Sequence, residues 1–191
     1  MSQAKYIFIF LLLCTSLSFA GDNIQSSSDQ GKYFFGIGAG EGGGPYGGGF
    51  TAFRLSHQKI LSRNSTYNFE YVSDLGVNFW KDNSRLNTTQ GIHASSSQHS
   101  SNVSLTYSRL IRKYLTANTF LDTVFGLSLQ SNDSIGGADL GSYYQIESRF
   151  GIGYERETYR SIINFYHYSN AGLENQNDGV NIIMLSVSKY F

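Results

Sequence analysis

A histidine and a serine two residues apart are the strongest chemical feature of the sequence. His167 and Ser169 lie in the segment 159–170, whose alternating residues predict a β-strand. Residues i and i+2 of a strand point to the same side, so one hydrogen bond can join the two side chains. An imidazole that accepts a hydroxyl proton turns serine into a nucleophile. The spacing therefore makes the pair a candidate for nucleophilic catalysis.

The side of the strand that carries this pair is the apolar one. Ile163 and Phe165 share it with His167 and Ser169. If that side faces lipid, packing gives no reason for the two polar groups, because polar groups that meet hydrocarbon cost free energy. The alternative is that both residues lie at the level of the lipid headgroups, where polar side chains are tolerated. The pattern alone leaves these two interpretations open.

The strands that position the pair are predicted by alternation with a period of two residues. Between residues 66 and 80, for example, odd positions are mostly apolar and even positions mostly polar, as in a strand with one apolar face. No stripe with helical spacing competes. With weaker segments included, eight strands are predicted at about 32–40, 48–60, 66–80, 103–112, 121–130, 144–155, 158–169 and 180–191. Eight is an even number, and closure into an antiparallel barrel removes exposed sheet edges.

The lengths of the predicted connections also alternate. Long connections are expected at 41–49, 81–100, 131–141 and 170–179, and short ones at 62–65, 113–116 and 155–158. Short turns at one end and long loops at the other are typical of transmembrane barrels, whose apolar faces meet lipid. A soluble eight-stranded barrel instead turns its apolar faces inward around a ligand.

Aromatic residues decide between these two barrels. The polar faces carry charges of both signs, which fit either barrel: Arg54, Glu70, Asp74, Arg112, Asp122, Glu147, Arg149 and Arg160. The apolar faces carry rings near strand ends, namely Tyr33, Phe35, Tyr67, Phe79, Tyr144, Tyr154 and Tyr159. Such rings form the interfacial girdles of membrane barrels. The predicted fold is therefore all-β, an eight-stranded antiparallel transmembrane β-barrel of the outer membrane, too narrow for a porin.

The N-terminal residues predict an export signal. Lys5 precedes an apolar run that ends at Cys14, and the small residues Ser18 and Ala20 predict cleavage after Ala20. The apolar run is too short to cross a membrane as a helix, which takes about 20 residues. Cleavage would remove the one cysteine of the chain, which excludes disulfides and thiol catalysis. The predicted divisions are a signal peptide at 1–20, an N-terminal segment at 21–31 and the barrel at 32–191.

Composition excludes other classes of function. The chain has 14 Lys and Arg residues against 14 Asp and Glu, without the basic cluster that nucleic-acid binding needs. His57, His93 and His99 lack metal-ligand spacing and are interpreted as solvated, so no metal or cofactor is expected. The glycine-rich segment 36–49 lacks the Gly-Lys-Ser/Thr ending of a phosphate-binding loop and is predicted to be a flexible loop.

Chain direction places the histidine and serine in the outer leaflet. If the N-terminus is periplasmic, odd-numbered strands run outward, and the predicted seventh strand ends at the cell exterior with His167 and Ser169. The abundant substrate class there is the lipid of the outer leaflet, which in a Gram-negative envelope is lipid A. The sequence thus predicts location in the Gram-negative outer membrane, with membrane lipid around the barrel.

The residues around the pair resemble a known family. The run 167–173, His-Tyr-Ser-Asn-Ala-Gly-Leu, followed by Asn177-Asp178-Gly179 and a last strand that ends in Phe191, resembles the signature of the lipid A 3-O-deacylases, the PagL family. These eight-stranded outer-membrane barrels remove an ester-linked acyl chain from lipid A of lipopolysaccharide. The motif spans about 25 residues, and the other strands match only as a barrel.

The resemblance implies a role for each residue of the motif. His167 is then the general base and Ser169 the nucleophile, while Asn170 and the backbone N–H near Gly172 form the oxyanion hole. Loss of such a donor costs other hydrolases about 100- to 1,000-fold in rate. The implied partner is lipid A as substrate, without a cofactor, and a homodimer is left open.

One position departs from the family pattern. The third catalytic member is a carboxylate twelve residues after the serine, and here that position is Asn181. An amide oxygen can accept a hydrogen bond from the imidazole but brings no charge to stabilise the imidazolium. Asp178 or Glu174 in the neighbouring loop could take over the orienting role. The alternatives are a slow enzyme, a rewired triad, or a non-catalytic barrel of structural or adhesive function that has lost the triad acid.

Overall fold

The fold is a closed antiparallel β-barrel, seen in a computed structural model that describes residues 31–43, 48–83 and 101–189. Its strands are β1 Lys32–Gly42, β2 Gly49–Asn64, β3 Phe69–Asp82, β4 Ser101–Tyr114, β5 Thr119–Gln130, β6 Ser134–Ile135, β7 Ala138–Asp139, β8 Tyr144–Glu155, β9 Tyr159–Ser169 and β10 Val180–Lys189. Eight of them form the barrel in the order β1-β10-β9-β8-β5-β4-β3-β2. The predicted eight-stranded antiparallel barrel is confirmed.

Several expectations concern residues outside the described ranges. These are the signal peptide at 1–20, nearly all of the segment 21–31, residues 44–47 of the glycine-rich segment, the loop that contains His93 and His99, and Phe191. Within the described ranges, no helix is long and apolar enough to cross a membrane, which has no bearing on strands that cross as a barrel.

The strand ends differ from the prediction where the alternation is interrupted. β2 continues to Asn64 through a bulge between Ile60 and Ser62, and a bulge breaks the period of two because it adds one residue to one strand. Tyr67 lies in the turn 65–68 rather than in a strand, and Glu41, predicted to begin a loop, lies in β1. The glycine-rich segment is therefore strand, not loop, up to residue 42.

The hairpin β6–β7 was not predicted and lies where a loop was expected. Gly136 and Gly137 form its two-residue turn, with φ values of +55° and +80°, as a type I′ turn requires. Its strands are two residues long, too short to show alternation in the sequence. Ile135 and Ala138 are fully buried against residues of the barrel wall such as Phe50, so the hairpin closes one end of the barrel.

The barrel has its apolar side outward. Leu127 is 60% exposed and Phe150 54%, whereas Arg112 and Glu147 are fully buried. All eight charged residues predicted on the polar faces are buried in the interior, namely Arg54, Glu70, Asp74, Arg112, Asp122, Glu147, Arg149 and Arg160. This is the reverse of a soluble barrel and fits a wall that faces hydrocarbon.

Ion pairs fill the middle of the interior. Arg54 donates to Asp74 and Glu147, each at 3.2 Å, and Arg149 donates to Asp74 at 2.6 Å. Arg112 forms two bonds of 2.8 Å with Asp122. Buried charges require such partners because an unpaired charge away from water is costly. The interior is thus packed with side chains.

The interior near the hairpin is apolar instead. Its buried residues are Phe50, Ala52, Trp80, Ile135, Ala138, Leu140, Tyr166, Tyr168, Val180, Ile182 and Met184. Gly40 of β1 makes room for this cluster, since a Cβ there would lie 2.4 Å from the ring of Phe50. The interior is apolar at this end because the hairpin and the barrel wall pack together there.

Candidate active site

The strand β9 carries the histidine and the serine and is held from inside the barrel. Tyr166 and Tyr168 point inward, where Arg149 donates to the Tyr166 hydroxyl at 3.0 Å and the Tyr168 hydroxyl donates to Glu147 at 2.6 Å. His167, which lies between them, and Ser169, which follows them, consequently face outward. His167 and Ser169 are half-buried on this outward face, near the end of the strand that leads into the loop 170–179.

His167 is bonded to the neighbouring strand. Asn181 of β10 lies directly opposite it in the sheet register, and the His167 Nδ1–H group donates to Asn181 Oδ1 at 2.8 Å. A carbonyl oxygen can only accept, so Nδ1 must carry the proton. The neutral ring therefore keeps a lone pair on Nε2, which is the nitrogen that can act as a base.

A glycine next to the ring leaves space for it. Gly179 has φ +67°, and a Cβ there would lie 3.3 Å from Cε1 and 3.8 Å from Nε2 of His167. A positive φ is strained for residues with a Cβ. Gly179 thus provides both the backbone turn into β10 and the room in which the imidazole lies.

Two hydroxyl groups lie beside His167. Ser169 is two residues further along β9, and Ser148 of β8 lies directly opposite His167. Both are half-buried on the outward face. Among the described residues, neither hydroxyl makes a hydrogen bond to His167, which is common in catalytic sites without substrate. Ser148 could not be predicted from the sequence, because only the register between β8 and β9 brings it to the histidine.

The chain turns sharply after Ser169. The Leu173 N–H group donates to the Asn170 carbonyl at 3.1 Å, and the two residues between them, Ala171 and Gly172, have φ values of +55° and +73°. Positive φ at both central positions is the geometry of a type I′ turn, and at alanine it carries strain. The backbone N–H groups of this turn follow the serine directly in the chain.

The two predicted oxyanion-hole residues lie in this turn. Asn170 is fully buried, and its side chain donates to the carbonyls of Leu140 at 2.9 Å and Gln176 at 2.7 Å. Its Oδ1 accepts from the Gly172 N–H at 2.8 Å. Both predicted donors therefore have partners within the loop in this structure, and their role toward a substrate stays a prediction.

The chain is similar to known proteins over most of the barrel. A family model described as Lipid A 3-O-deacylase (PagL) matches residues 45–190, about three quarters of the chain. The chain belongs to the PagL family.

Among PagL relatives, the lipid A deacylase PagL of Pseudomonas aeruginosa is 36% identical to the chain over 62 residues. That stretch covers 32% of this chain and 36% of the relative, so it spans only about a third of that protein.

A solved structure shows the same barrel. The crystal structure of the outer membrane enzyme PagL matches with a TM-score of 0.58 and 22% identity, over 82% of this chain and 99% of that one. The Yersinia pestis outer membrane protein Ail matches with a TM-score of 0.48 and 8% identity, over 84% of this chain and all of that one. At 22% identity, the match to the PagL structure concerns the fold alone.

Three residues were candidates for the PagL triad acid, and the structure places them differently. Asn181 bonds to His167 as described, whereas Asp178 Oδ2 accepts from the Asp139 N–H group at 2.9 Å and so ties the loop to the hairpin β6–β7. Glu174 is exposed in the loop. Asn181 is thus the candidate that contacts the imidazole.

The other histidine that the structure describes lies away from this site. His57, interpreted as solvated, is half-buried on the outward face of β2 with its ring 4.8 Å from that of Tyr33. The interpretation of His57 as solvated stays a prediction. Among the residues described, no group of three or more His, Cys, Asp or Glu side chains could hold a metal ion.

Proposed function

We propose that the protein is an outer-membrane serine esterase that removes the ester-linked 3-O-acyl chain from lipid A of lipopolysaccharide. The supporting observation is the outward-facing imidazole of His167, bonded through Nδ1 to Asn181 and followed two residues later by Ser169. The family supports the same substrate and reaction. An outward position suits a substrate that is itself a membrane lipid.

Proton and bond changes follow the usual course of a serine hydrolase. Ser169 Oγ attacks the ester carbonyl carbon while His167 Nε2 accepts its proton. The tetrahedral intermediate then expels the sugar 3-oxygen, which takes the proton from His167. Water hydrolyses the acyl-Ser169 ester with His167 again as base, which releases a fatty acid and frees the serine. Asn181 holds the ring in the required tautomer throughout.

The developing oxyanion needs hydrogen-bond donors in the turn after Ser169. We assign this role to Asn170 and to the backbone N–H near Gly172, as the family resemblance implies. The Gly172 N–H group donates to Asn170 Oδ1 in this structure, so substrate binding must exchange that partner for the oxyanion. The backbone around Ala171 has strained dihedral angles, and such strain is frequent where a site changes conformation.

The orientation of the barrel follows from its connections. The turns 65–68, 115–118 and 156–158 lie at one end, and the longer connections lie at the other. In bacterial outer-membrane barrels the short turns are periplasmic. These connections support a position of the end of β9 and the loop 170–179 at the cell exterior, with lipopolysaccharide as the proposed substrate and membrane lipid around the wall. A homodimer would leave this assignment unchanged.

Mass spectrometry of lipid A tests the proposal. Cells that produce the protein should contain lipid A that lacks the 3-O-linked acyl chain, whereas cells that produce Ser169→Ala should not. Folding of both proteins is checked by the shift in electrophoretic mobility on heating, which folded barrels show. An unchanged acyl count with a folded wild-type barrel would favour the non-catalytic structural or adhesive barrel.

A second experiment separates the two hydroxyls beside His167. A fluorophosphonate probe should label the wild-type protein and the Ser148→Ala variant but not Ser169→Ala, since the activated serine alone reacts. Ser148 is the matched control because it lies on the same outward face, opposite the same histidine. Labelling that is lost in Ser148→Ala and kept in Ser169→Ala would reverse the assignment of the nucleophile.

A further inference from the structure

A carboxylate lies next to Asn181 on the side away from His167. Glu41 of β1 is directly opposite Asn181 in the register between β1 and β10, where the barrel closes. It is exposed on the outward face, on which the other β1 positions include Ile37 and Ala39. Directly opposed residues have Cβ atoms about 4.5 to 5.5 Å apart, so the Glu41 side chain is long enough to reach the Asn181 amide.

Asn181 has a free donor on the side chain that holds His167. Its Oδ1 accepts the Nδ1–H bond of His167 at 2.8 Å, and in an amide the nitrogen then carries two N–H donors. Within residues 31–43, 48–83 and 101–189, Asn181 Nδ2 donates no hydrogen bond. A carboxylate oxygen is the strongest acceptor for such a group.

We propose that Glu41 is a positioning residue that supplies the negative charge missing from Asn181. Its carboxylate accepts a hydrogen bond from Asn181 Nδ2–H when substrate is bound, which orders a chain from Glu41 through Asn181 and His167 to Ser169. This inference rests on the proposed esterase function and names the residue that takes the place of the triad acid.

The chemistry of linked hydrogen bonds explains why this arrangement helps. An amide that donates from its nitrogen becomes a better acceptor at its oxygen, because hydrogen bonds in a chain polarise one another. Asn181 Oδ1 then holds the Nδ1 proton more strongly, which stabilises the imidazolium that forms when Ser169 is deprotonated. The bond to Glu41 also fixes the amide with its oxygen toward His167 and so prevents the flip that would select the wrong tautomer.

The first test removes the charge alone. Glu41→Gln should lower kcat for lipid A deacylation about three- to tenfold with KM nearly unchanged. A loss of this size corresponds to a small change in the stabilisation of the transition state. Glu157→Gln is the matched control, because it removes the same charge from an exposed turn at the opposite end of the barrel. Equal kcat for the wild type and Glu41→Gln would overturn the proposal.

A double-variant comparison tests whether Glu41 acts through Asn181. In an Asn181→Glu background the carboxylate contacts His167 directly, and two like charges then lie opposite each other. Glu41→Gln should leave kcat unchanged or raise it in that background, although it lowers kcat in the wild type. The same loss in both backgrounds would contradict the relay, since Glu41 would then act independently of residue 181.

A spectroscopic measurement keeps the inference separate from the proposed function. In Ser169→Ala protein with 15N-labelled histidine and bound lipid A, which this variant cannot turn over, the Nδ1–H resonance of His167, assigned by its loss in His167→Gln, should move when Glu41→Gln is added and stay in place when Glu157→Gln is added. A resonance that does not move overturns the relay even if the enzyme is active. A folded but inactive wild type refutes the esterase, while the resonance still decides whether Glu41 is coupled to His167.

Discussion

At the scale of single residues, the site depends on what an amide can do in place of a carboxylate. Asn181 Oδ1 accepts the Nδ1–H bond at 2.8 Å and so selects the tautomer in which Nε2 is a base. It cannot offset the positive charge of the imidazolium as a carboxylate does. In one serine protease the change from Asp to Asn lowered kcat about 10⁴-fold through the wrong tautomer. Here the observed bond selects the tautomer that the proposed reaction needs.

Substitution of Asn181 tests this distinction. Asn181→Ala should lower kcat about tenfold or more, because one hydrogen bond that orients the base is lost. Asn181→Glu should raise kcat above the wild type, because it adds charge at the same position. Steady-state kinetics on purified protein in detergent measure both. If Asn181→Ala retains full kcat, the imidazole is oriented by another group.

Gly179 is a second position where one residue type is required. Gly179→Ala should lower kcat and destabilise the barrel by about 1 kcal/mol, because it strains a positive φ and brings a methyl group to 3.3 Å from the His167 ring. Gly136→Ala is the control, since it strains a φ of +55° in the hairpin away from His167. Equal effects of the two substitutions on kcat would show that only backbone strain matters.

At the scale of elements, the inward and outward side chains of β9 have different roles. The inward tyrosines fix the strand to the interior ion-pair network, and the outward residues are the candidates for the proposed chemistry. Tyr168 connects the two parts, since its hydroxyl bonds to Glu147 at 2.6 Å and its ring lies 5.0 Å from that of Trp80. The position of His167 is therefore set by side chains on the other side of the same strand.

Removal of one inward hydroxyl tests this anchoring. Tyr168→Phe should lower the free energy of unfolding by about 1 to 3 kcal/mol, because Glu147 loses a buried hydrogen bond, and should lower kcat less than Ser169→Ala does. Urea unfolding in micelles measures the first effect. Tyr144→Phe, which removes the same atom from a ring that is 70% exposed, should change neither. Equal stability of both variants would mean that the bond to Glu147 contributes nothing.

At the scale of the whole molecule, the distribution of polarity determines where the barrel is stable. Apolar side chains such as Leu75 are half-exposed around the wall, while charged residues are paired inside. In water such a surface would aggregate, whereas in a bilayer it lies in hydrocarbon. The same distribution makes the outer wall at the end of β9 a surface that lipid reaches directly.

A charge placed on the wall tests the membrane assignment. Leu75→Arg lies in the middle of β3 and should destabilise the barrel in lipid vesicles by about 2 to 4 kcal/mol, as arginine does near the bilayer midplane. Leu115→Arg, in the turn 115–118 and 55% exposed, should have little effect. Folding yield in vesicles and urea titration measure both. Equal stability of the two variants would contradict a wall that crosses lipid.

Much of this fold was predictable because the two faces of each strand follow from local alternation in the sequence. Each strand shows which residues share a face, so the inward charges and the outward pair at 167 and 169 could be named from the sequence. Tyr166 and Tyr168, which alternate with this pair, follow the same rule. Where a bulge or a two-residue strand interrupts the period, as at Ile60 and in β6–β7, the prediction was wrong or incomplete.

The sequence by itself determined the barrel, the sidedness of its strands and the histidine and serine of the site, because a period of two residues is a property of neighbouring positions. The tertiary structure alone decided which residues meet across strands. Register between β8 and β9 brings Ser148 to His167, register between β9 and β10 brings Asn181, and closure of β1 on β10 brings Glu41 beside it. Register is set by turns, bulges and barrel closure, and these join residues far apart in the chain that no local pattern relates.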